Sequence, residues 1–254
     1  MILFKKRIWI PAVLIVGLIF LIRSVYEIPV LMYHHVGDPS DPSTANVSTQ
    51  MFEKQMEFLK VHRYHVVSLE DLLDLVKQGK PIPGNTVSIT FDDGNLDNFR
   101  NAFPILRKMH FNATIFMITD NINQEGWLSE EDLKILDGSG IAIGSHTASH
   151  AYLPDLSSEE VVRELRESRN RLEKILGHPV FVFSYPAGGF TEAIKNLVLQ
   201  EGYRGAVTTN RGGDRHDPYA IRRIKITEGG GSLFNFWSKI SGLYRVGKAV
   251  KNPS

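Results

Sequence analysis

From residue 28 onward, short apolar runs rich in β-forming residues alternate with segments of helical periodicity. This alternation is typical of a β/α fold, in which each strand is followed by a helix that covers a parallel sheet. Strands are predicted at 29–33, 65–67, 87–91, 113–118, 141–145, 180–185, 205–208 and 221–226, and helices at 51–61, 69–77, 96–109, 130–136, 158–176 and 192–201. Such a series folds either into a closed or nearly closed barrel or into an open, doubly wound sheet.

Two absent motifs disfavour the open sheet. No Gly-x-Gly-x-x-Gly follows the first predicted strand, and no Gly-x-x-x-x-Gly-Lys-Ser/Thr occurs in the chain, so neither nucleotide-binding fingerprint is present. We therefore expect an α/β protein with a distorted (β/α)7-type barrel. With 254 residues, 43% of them hydrophobic, the chain can bury one sizeable core of this kind.

The best-supported helix is the one at 158–176. Ser157 followed by Glu160 is a capping-box pattern, and Gly177 followed by Pro179 provides the stop signal. The apolar residues of this segment fall on one helical stripe, which we expect to face the core: Val161, Leu165, Leu172 and Ile175.

The first 26 residues predict where the protein resides. Lys5, Lys6 and Arg7 precede an apolar run at 8–22 that ends at Arg23. The length of this run lies between a signal-peptide core and a full span of about 20 residues. No small-x-small cleavage pattern and no lipobox cysteine follow, which favours an uncleaved single-pass membrane anchor at 1–26. The basic cluster then stays in the cytoplasm and the rest of the chain lies on the extracytoplasmic side of the cell membrane.

The remaining chain divides into a catalytic domain at 28–228 and a C-terminal segment at 229–254. The latter begins with three glycines at 229–231 and continues as an amphipathic helix, which either packs on the barrel or contacts a membrane surface. The net charge of +1, with basic residues dispersed, argues against a nucleic-acid partner. Because the chain has no cysteine, any metal must be held by His, Asp or Glu.

Polar residues follow three of the predicted strands, at the position where β/α barrels gather their catalytic groups. Asp92 and Asp93 follow 87–91, His146 follows 141–145 with His150 four residues on, and a Pro-Ala-Gly-Gly sequence at 186–189 follows 180–185. Adjacent aspartates project to different sides, so one can bind a metal while the other acts as a base toward water. An Asp-Gly turn without chemistry is the alternative.

Two His and one Asp with open positions form the arrangement that hydrolytic zinc sites use to lower the pKa of water. His146 and His150 have the spacing to meet on one cation when the residues between them form a turn, although a solvated loop also accommodates such a pair. The same three ligands describe the facial triad of non-haem iron oxygenases. The second aspartate favours hydrolysis, because an oxygenase needs no such base.

Several motifs in order resemble the polysaccharide deacetylase family, carbohydrate esterase family four, over residues 29–226. They are Pro-Val-Leu-Met-Tyr-His at 29–34, Thr-Phe-Asp-Asp-Gly at 90–94, Ser-His-Thr-Ala-Ser-His at 145–150, Tyr-Pro-Ala-Gly at 185–188 and Arg-Ile-x-Ile at 223–226. The resemblance implies a metal-dependent hydrolase that removes N-acetyl groups from N-acetylglucosamine-containing polysaccharide. A non-catalytic glycan-binding module of the same fold is the alternative.

The resemblance also assigns roles to residues. It implies that a divalent metal, usually zinc, is bound by Asp93, His146 and His150, and that Asp92 is the general base. It implies further that the backbone N–H of Ala187 stabilises the oxyanion and that Tyr185 belongs to the same substrate-binding motif. His34 either lines the mouth of the site or packs at a strand end.

The sequence departs from the family pattern at two places. Many members carry an Arg three residues before the tyrosine of the third motif, which orients the base, whereas Ser184 stands here and Ala187 takes the tyrosine place. Many also have a His near the last strand as the general acid. This chain has none there, and His216 a few residues upstream is the nearest candidate. The Tyr-Pro third motif, the Met-Tyr-His start and the missing late His together resemble the branch that acts on poly-β-1,6-N-acetylglucosamine and related exopolysaccharides more than peptidoglycan or chitin deacetylases.

Overall fold

The structure is a computed structural model that describes residues 28–37, 45–79, 83–209, 217–228, 232–242 and 244. Three predictions concern residues outside these ranges: the membrane anchor at 1–26, the glycine hinge at 229–231 and the candidate acid His216. Among the described residues, no helix is both long and apolar enough to cross a membrane.

Strands and helices alternate through the described chain as the sequence predicts. The strands are β1 (Val30–Tyr33), β2 (His35–Val36), β3 (Asn46–Val47), β4 (His65–Val66), β5 (Thr86–Phe91), β6 (Ala113–Met117), β7 (Ile141–Ser145), β8 (Val182–Ser184), β9 (Gly205–Thr208), β10 (Ile221–Arg222) and β11 (Ile224–Lys225). The helices are α1 (Thr49–Val61), α2 (Leu69–Lys77), α3 (Phe103–Met109), α4 (Glu130–Gly138), α5 (Ser158–Leu176), α6 (Glu192–Gln200) and α7 (Leu233–Ile240).

One nine-stranded parallel sheet forms the centre of the molecule. Its order is β10-β9-β8-β7-β6-β5-β1-β11, and β4 pairs with β5 beside this path. Parallel strands joined by covering helices place all their C-terminal ends at one edge of the sheet. The strand ends that carry the predicted site therefore open on the same side of the fold.

The segment from Ile221 to Ile226 brings the two ends of the sheet together. Ile221 pairs with Val207 of β9, while Ile224 pairs with Leu31 of β1. Arg223 lies between these two short strands, and its backbone N–H donates to the carbonyl of Thr208 at 3.1 Å. A single covalent segment thus bridges the first and last long strands, which confirms the predicted near-closed barrel.

Helix α5 folds as its sequence dictates. The side chain of Ser157 accepts the backbone N–H of Glu160, whose carboxylate in turn accepts the N–H of Ser157, and Gly177 ends the helix at φ 80°. The predicted stripe is buried against the sheet: Val161, Leu165, Leu172 and Ile175. Only glycine adopts the left-handed C-cap conformation without steric cost.

The helix predicted at 96–109 is interrupted. Its first turn, Asn98–Ala102, is π-helical, and α3 follows with Pro104 in its opening positions. Proline has no N–H to donate, so the regular hydrogen-bond ladder cannot run through this point. The short strands β2 and β3, which pair with each other, were not predicted, because two residues carry no readable periodicity.

The C-terminal helix α7 packs on the barrel through one side of its apolar stripe. Phe236 and Ile240 are buried, and the ring of Phe236 meets Phe58 of α1 edge-on at 6.1 Å. Phe234 and Trp237 remain on the exposed side, with 69% and 45% of their surface accessible. The predicted packing on the barrel is thus observed for Phe236 and Ile240. The other predicted role, contact with a membrane surface, stays a prediction.

Candidate active site

The paired aspartates lie at the end of β5 and point in different directions. The backbone N–H of Asp92 donates to the carbonyl of Tyr33 at 2.9 Å and continues the ladder with β1. Asp93 then adopts a left-handed conformation at φ 75°, which turns its side chain away from that of its neighbour. Asp92 is 2% exposed, whereas Asp93 is half-buried.

His146 and His150 flank a tight turn at the end of β7. Nδ1 of His146 hydrogen-bonds to the backbone carbonyl of Ser184 at 2.8 Å, which leaves Nε2 to face the cleft. Thr147 and His150 both adopt left-handed conformations, at φ 67° and φ 64°. The hydroxyl of Thr147 accepts the N–H of His150 at 2.9 Å. The turn therefore aims both imidazoles at one point.

Asp93, His146 and His150 form a cluster that could hold a metal ion. Oδ1 of Asp93 lies 3.6 Å from Nε2 of His146 and 3.7 Å from Nε2 of His150, and the three ligand atoms lie within 4.8 Å of one another. Ligands about 2.1 Å from a tetrahedral zinc ion lie roughly 3.4 Å apart. The donor set and its spacing therefore fit a divalent cation.

Burial keeps the imidazole of His146 neutral. Desolvation lowers its pKa to about 4, although the nearby Asp92 carboxylate opposes this effect. A neutral ring has a lone pair on Nε2 available for a cation. Burial likewise raises the pKa of Asp93, and the adjacent Asp92 raises it further, so that a cation between Asp93 and the two histidines would stabilise its ionised form.

Asp92 forms a buried ion pair with Arg223. Nη1 and Nη2 of the guanidinium donate to Oδ1 and Oδ2 of the carboxylate at 2.6 and 2.5 Å. The guanidinium also donates to the hydroxyls of Thr90 and Ser184, at 3.1 and 2.8 Å, and to the carbonyl of Thr208 at 3.2 Å. This bidentate geometry fixes the plane of the carboxylate.

The ion pair also sets the charge of Asp92. Burial would raise the pKa of its carboxyl, but the Arg223 guanidinium outweighs desolvation and holds the pKa well below its usual range. Asp92 is therefore ionised at neutral pH. A carboxylate offers four lone-pair sites, so acceptor capacity remains beside the two bonds from Arg223.

Arg223 appears in the sequence-based predictions only as the first residue of the motif at 223–226, and they assign no role to it. It supplies the orientation of Asp92 that the departure at Ser184 left unexplained, because its guanidinium reaches the carboxylate from the segment between β10 and β11 and also donates to the Ser184 hydroxyl. The available signal was the arginine pair at 222–223 near the last strands, combined with a third motif that has no arginine.

The third motif places Ala187 and Tyr185 differently. Ala187 is exposed, adopts a left-handed conformation at φ 51°, and its N–H has no acceptor among the described residues. Tyr185 is completely buried, and its hydroxyl donates to the carbonyl of Tyr219 at 2.9 Å. Its aromatic ring stacks on Phe190, and the place of Tyr185 in the substrate-binding motif stays a prediction.

His34 lies next to the aspartates at the end of β1. Its Nδ1 is buried with no hydrogen-bond partner among the described residues, and its backbone carbonyl accepts the amide of Asn98 at 2.8 Å. Burial lowers the pKa of its imidazole, while Asp92 and Asp93 oppose that lowering, which places His34 within reach of both carboxylates. The adjacent His35 hydrogen-bonds instead to Asp97 at 2.8 Å.

The comparisons with known proteins agree with this fold and site. A family model described as polysaccharide deacetylase matches residues 79–206. One relative is the putative polysaccharide deacetylase YxkH of Bacillus subtilis. It is 32% identical to this chain over 211 residues, which cover 82% of this chain and 75% of YxkH. The poly-β-1,6-N-acetyl-D-glucosamine N-deacetylase of Staphylococcus aureus is 29% identical over 204 residues, 72% of this chain and 68% of the relative.

Among solved structures, the Streptococcus pyogenes deacetylase PplD in complex with acetate has a TM-score of 0.78 and 26% identity, covering 84% of this chain and 98% of PplD. A near-closed β/α barrel with a carboxylate and histidine cluster at its C-terminal edge defines the class. The chain belongs to the polysaccharide deacetylase family, carbohydrate esterase family four. It is accordingly a deacetylase, a hydrolase that releases acetyl groups.

Replacing Arg223 tests the ion pair. In Arg223→Met, the guanidinium no longer opposes the effect of burial, so the pKa of Asp92 should rise and deacetylation should be lost at a higher pH than in the parent as the pH falls. Loss of the bidentate contact that orients the Asp92 carboxylate should also lower kcat roughly a hundredfold. The pH profile of kcat/KM measures both effects.

The matched control is Arg204→Met, which removes a half-exposed guanidinium paired with Asp74 on the surface. This variant should keep the parental profile. If Arg223→Met keeps the parental kcat, and its kcat/KM falls at the same acidic pH as that of the parent, the role of the ion pair is contradicted.

Proposed function

We propose that the protein is a metal-dependent N-deacetylase of N-acetylglucosamine-containing polysaccharide, with a β-1,6-linked exopolysaccharide as the favoured substrate and zinc as the metal. The observation that carries the proposal is the position of the ionised, Arg223-bound Asp92 beside the cluster of Asp93, His146 and His150. The substrate class is supported by the Staphylococcus aureus relative, whose name specifies poly-β-1,6-N-acetyl-D-glucosamine.

Asp93, His146 and His150 would hold the metal, which when bound lowers the pKa of water and polarises the acetamide carbonyl. Asp92 takes a proton from the attacking water. The oxygen of that water forms a bond to the acetyl carbon, and the carbonyl π electrons move onto the oxygen. Ala187 is exposed and its N–H has no acceptor among the described residues, so it can donate to this developing oxyanion.

The carbon–nitrogen bond then breaks, and the sugar amine needs a proton as it leaves. His34 is the described imidazole beside both aspartates that lies outside the metal cluster, and its buried Nδ1 has no described partner. We assign the proton donation to His34; burial lowers the pKa of its imidazole, and the two carboxylates oppose that lowering. The products are acetate and a free glucosamine amine.

Two alternatives remain to be separated from this proposal. A barrel that only binds glycans would have no need for a base held by a buried guanidinium, which costs desolvation free energy. An iron oxygenase would use the same three ligands without Asp92. The Asp92–Arg223 pair favours hydrolysis over both alternatives.

Asparagine substitutions separate the base from the metal ligand. Asp92→Asn should lose at least about a hundredfold in acetate release, because the amide cannot accept the water proton, yet it should still bind one zinc. Asp93→Asn should lose both acetate release and zinc binding, because it removes a ligand of the proposed metal. Acetate release is measured on β-1,6-linked N-acetylglucosamine oligomers, chitin oligomers and peptidoglycan, together with metal content.

Asp120→Asn serves as the matched control, since Asp120 is an exposed carboxylate that also follows a strand of the barrel. It should behave like the parent. Unchanged acetate release in Asp92→Asn would rule out its role as base, and a parent without activity on any acetylated oligomer, with zinc, cobalt or nickel supplied, would sink the proposed function.

The proton donor is tested with two kinds of acetyl compound. An amide needs a proton on its leaving nitrogen, whereas 4-nitrophenyl acetate releases a stable anion that needs none. In His34→Ala, the ratio of oligosaccharide deacetylation to ester hydrolysis should fall at least about tenfold. If this ratio falls instead in His216→Ala and stays unchanged in His34→Ala, the acid is His216.

The location on the cell membrane remains a proposal that depends on the sequence of residues 1–26. We propose an uncleaved single-pass anchor with the deacetylase domain on the extracytoplasmic side. The full-length chain should stay in membranes washed with alkaline carbonate, retain Met1 or Ile2 at its N-terminus, and be cleaved by protease added to the outside of cells. A chain that begins near residue 27, or that resists external protease in intact cells, would contradict this location.

A further inference from the structure

The turn between the two cluster histidines is built around a carboxylate from another element. Oε2 of Glu164, in the second turn of α5, accepts the backbone N–H groups of Ala148 and Ser149, both at 2.9 Å. Its other oxygen accepts the hydroxyl of Ser149 at 2.7 Å. Three hydrogen bonds from two consecutive residues therefore converge on one side chain.

This contact has a local physical cause. Thr147 is left-handed, and a left-handed residue within a turn points the N–H groups that follow it toward the same side, where they form a concave site for an anion. Ala148 is buried, so its N–H needs a protein acceptor. Glu164 provides that acceptor and completes the turn that carries His146 and His150.

Helix α5 holds Glu164 at a fixed height above the sheet. One helical turn further on, the hydroxyl of Ser168 hydrogen-bonds to that of Ser145, the last residue of β7, at 2.8 Å. The hydroxyl of Tyr203 also donates to the carbonyl of Leu165 at 3.0 Å. The helix is therefore tied to the end of β7 through Ser168 and to Tyr203 through Leu165, both within about one turn of Glu164.

We infer that Glu164 is a positioning residue for the metal centre: its carboxylate fixes the 146–150 turn so that both imidazoles face Asp93. The inference rests on the proposed function, since it concerns the affinity for the proposed metal. It extends the site from the three cluster residues to a fourth residue on α5, which touches neither the cation nor the substrate.

Two substitutions of Glu164 distinguish positioning of the 146–150 turn by hydrogen bonds from an effect of the negative charge of Glu164 alone. The amide of Glu164→Gln can still accept the two N–H groups through its oxygen and donate to the Ser149 hydroxyl through its nitrogen. Glu164→Ala removes every acceptor. Positioning predicts that Glu164→Ala weakens zinc binding about ten- to a hundredfold, as measured for residues that orient metal ligands, while Glu164→Gln stays close to the parent.

Zinc affinity is measured on the full-length chain by competition with a chromophoric chelator, and the visible spectrum of the cobalt-substituted protein reports the ligand geometry. Glu167→Ala is the matched control, because Glu167 is exposed on the same helix and has no side-chain hydrogen bond or ion pair to a described residue. It should keep parental affinity. Ser149→Ala, which removes only the hydroxyl contact, should show a smaller loss in the same direction and covers the case that Glu164→Ala does not fold.

The outcomes separate the inference from the function on which it rests. A parent chain that binds no zinc or cobalt refutes the proposed metal centre itself. A parent that binds metal while Glu164→Ala binds equally well overturns the positioning role alone. Equal losses in Glu164→Gln and Glu164→Ala overturn it as well, because charge would then be the whole effect.

Discussion

The ion pair between Arg223 and Asp92 connects the architecture of the barrel to its chemistry. A buried charge is tolerated only when it is paired and its remaining hydrogen-bonding groups are satisfied. Here the guanidinium meets both oxygens of Asp92 and three further acceptors on β5, β8 and β9. Since Arg223 lies in the segment that joins the two ends of the sheet, the residue at the closure of the barrel also orients the carboxylate of Asp92, the proposed general base.

The rest of the site depends on irregular backbone at the ends of regular strands. The sheet holds β5, β6, β7 and β8 in this order, and the candidate metal ligands and the N–H group proposed for the oxyanion lie just beyond β5, β7 and β8, at Asp93, His146, His150 and Ala187. Each of the elements involved is fixed by polar contacts from another strand or helix. The chemistry thus uses loops whose conformations are set by a rigid scaffold.

Much of this could be read from the chain. The bounds of β7, β9, α2 and α5 match the predicted ranges, because each has clear periodicity or a complete set of caps. The clustering of Asp93 with the two histidines followed from their place at parallel strand ends. Arg223 escaped notice because it meets Asp92 across 131 residues, and no local pattern encodes such a contact.

The left-handed residues of the site have a consequence for attempts to make this enzyme more robust. Asp93, Thr147, His150 and Ala187 hold positive φ without being glycine, at a cost on the order of 1 kcal/mol each. Glycine at Ala187 would relieve that strain and raise the resistance of the fold to heat. It would also free the peptide whose N–H we propose as the oxyanion donor to rotate, so selection for thermal tolerance and selection for turnover would oppose each other at this position.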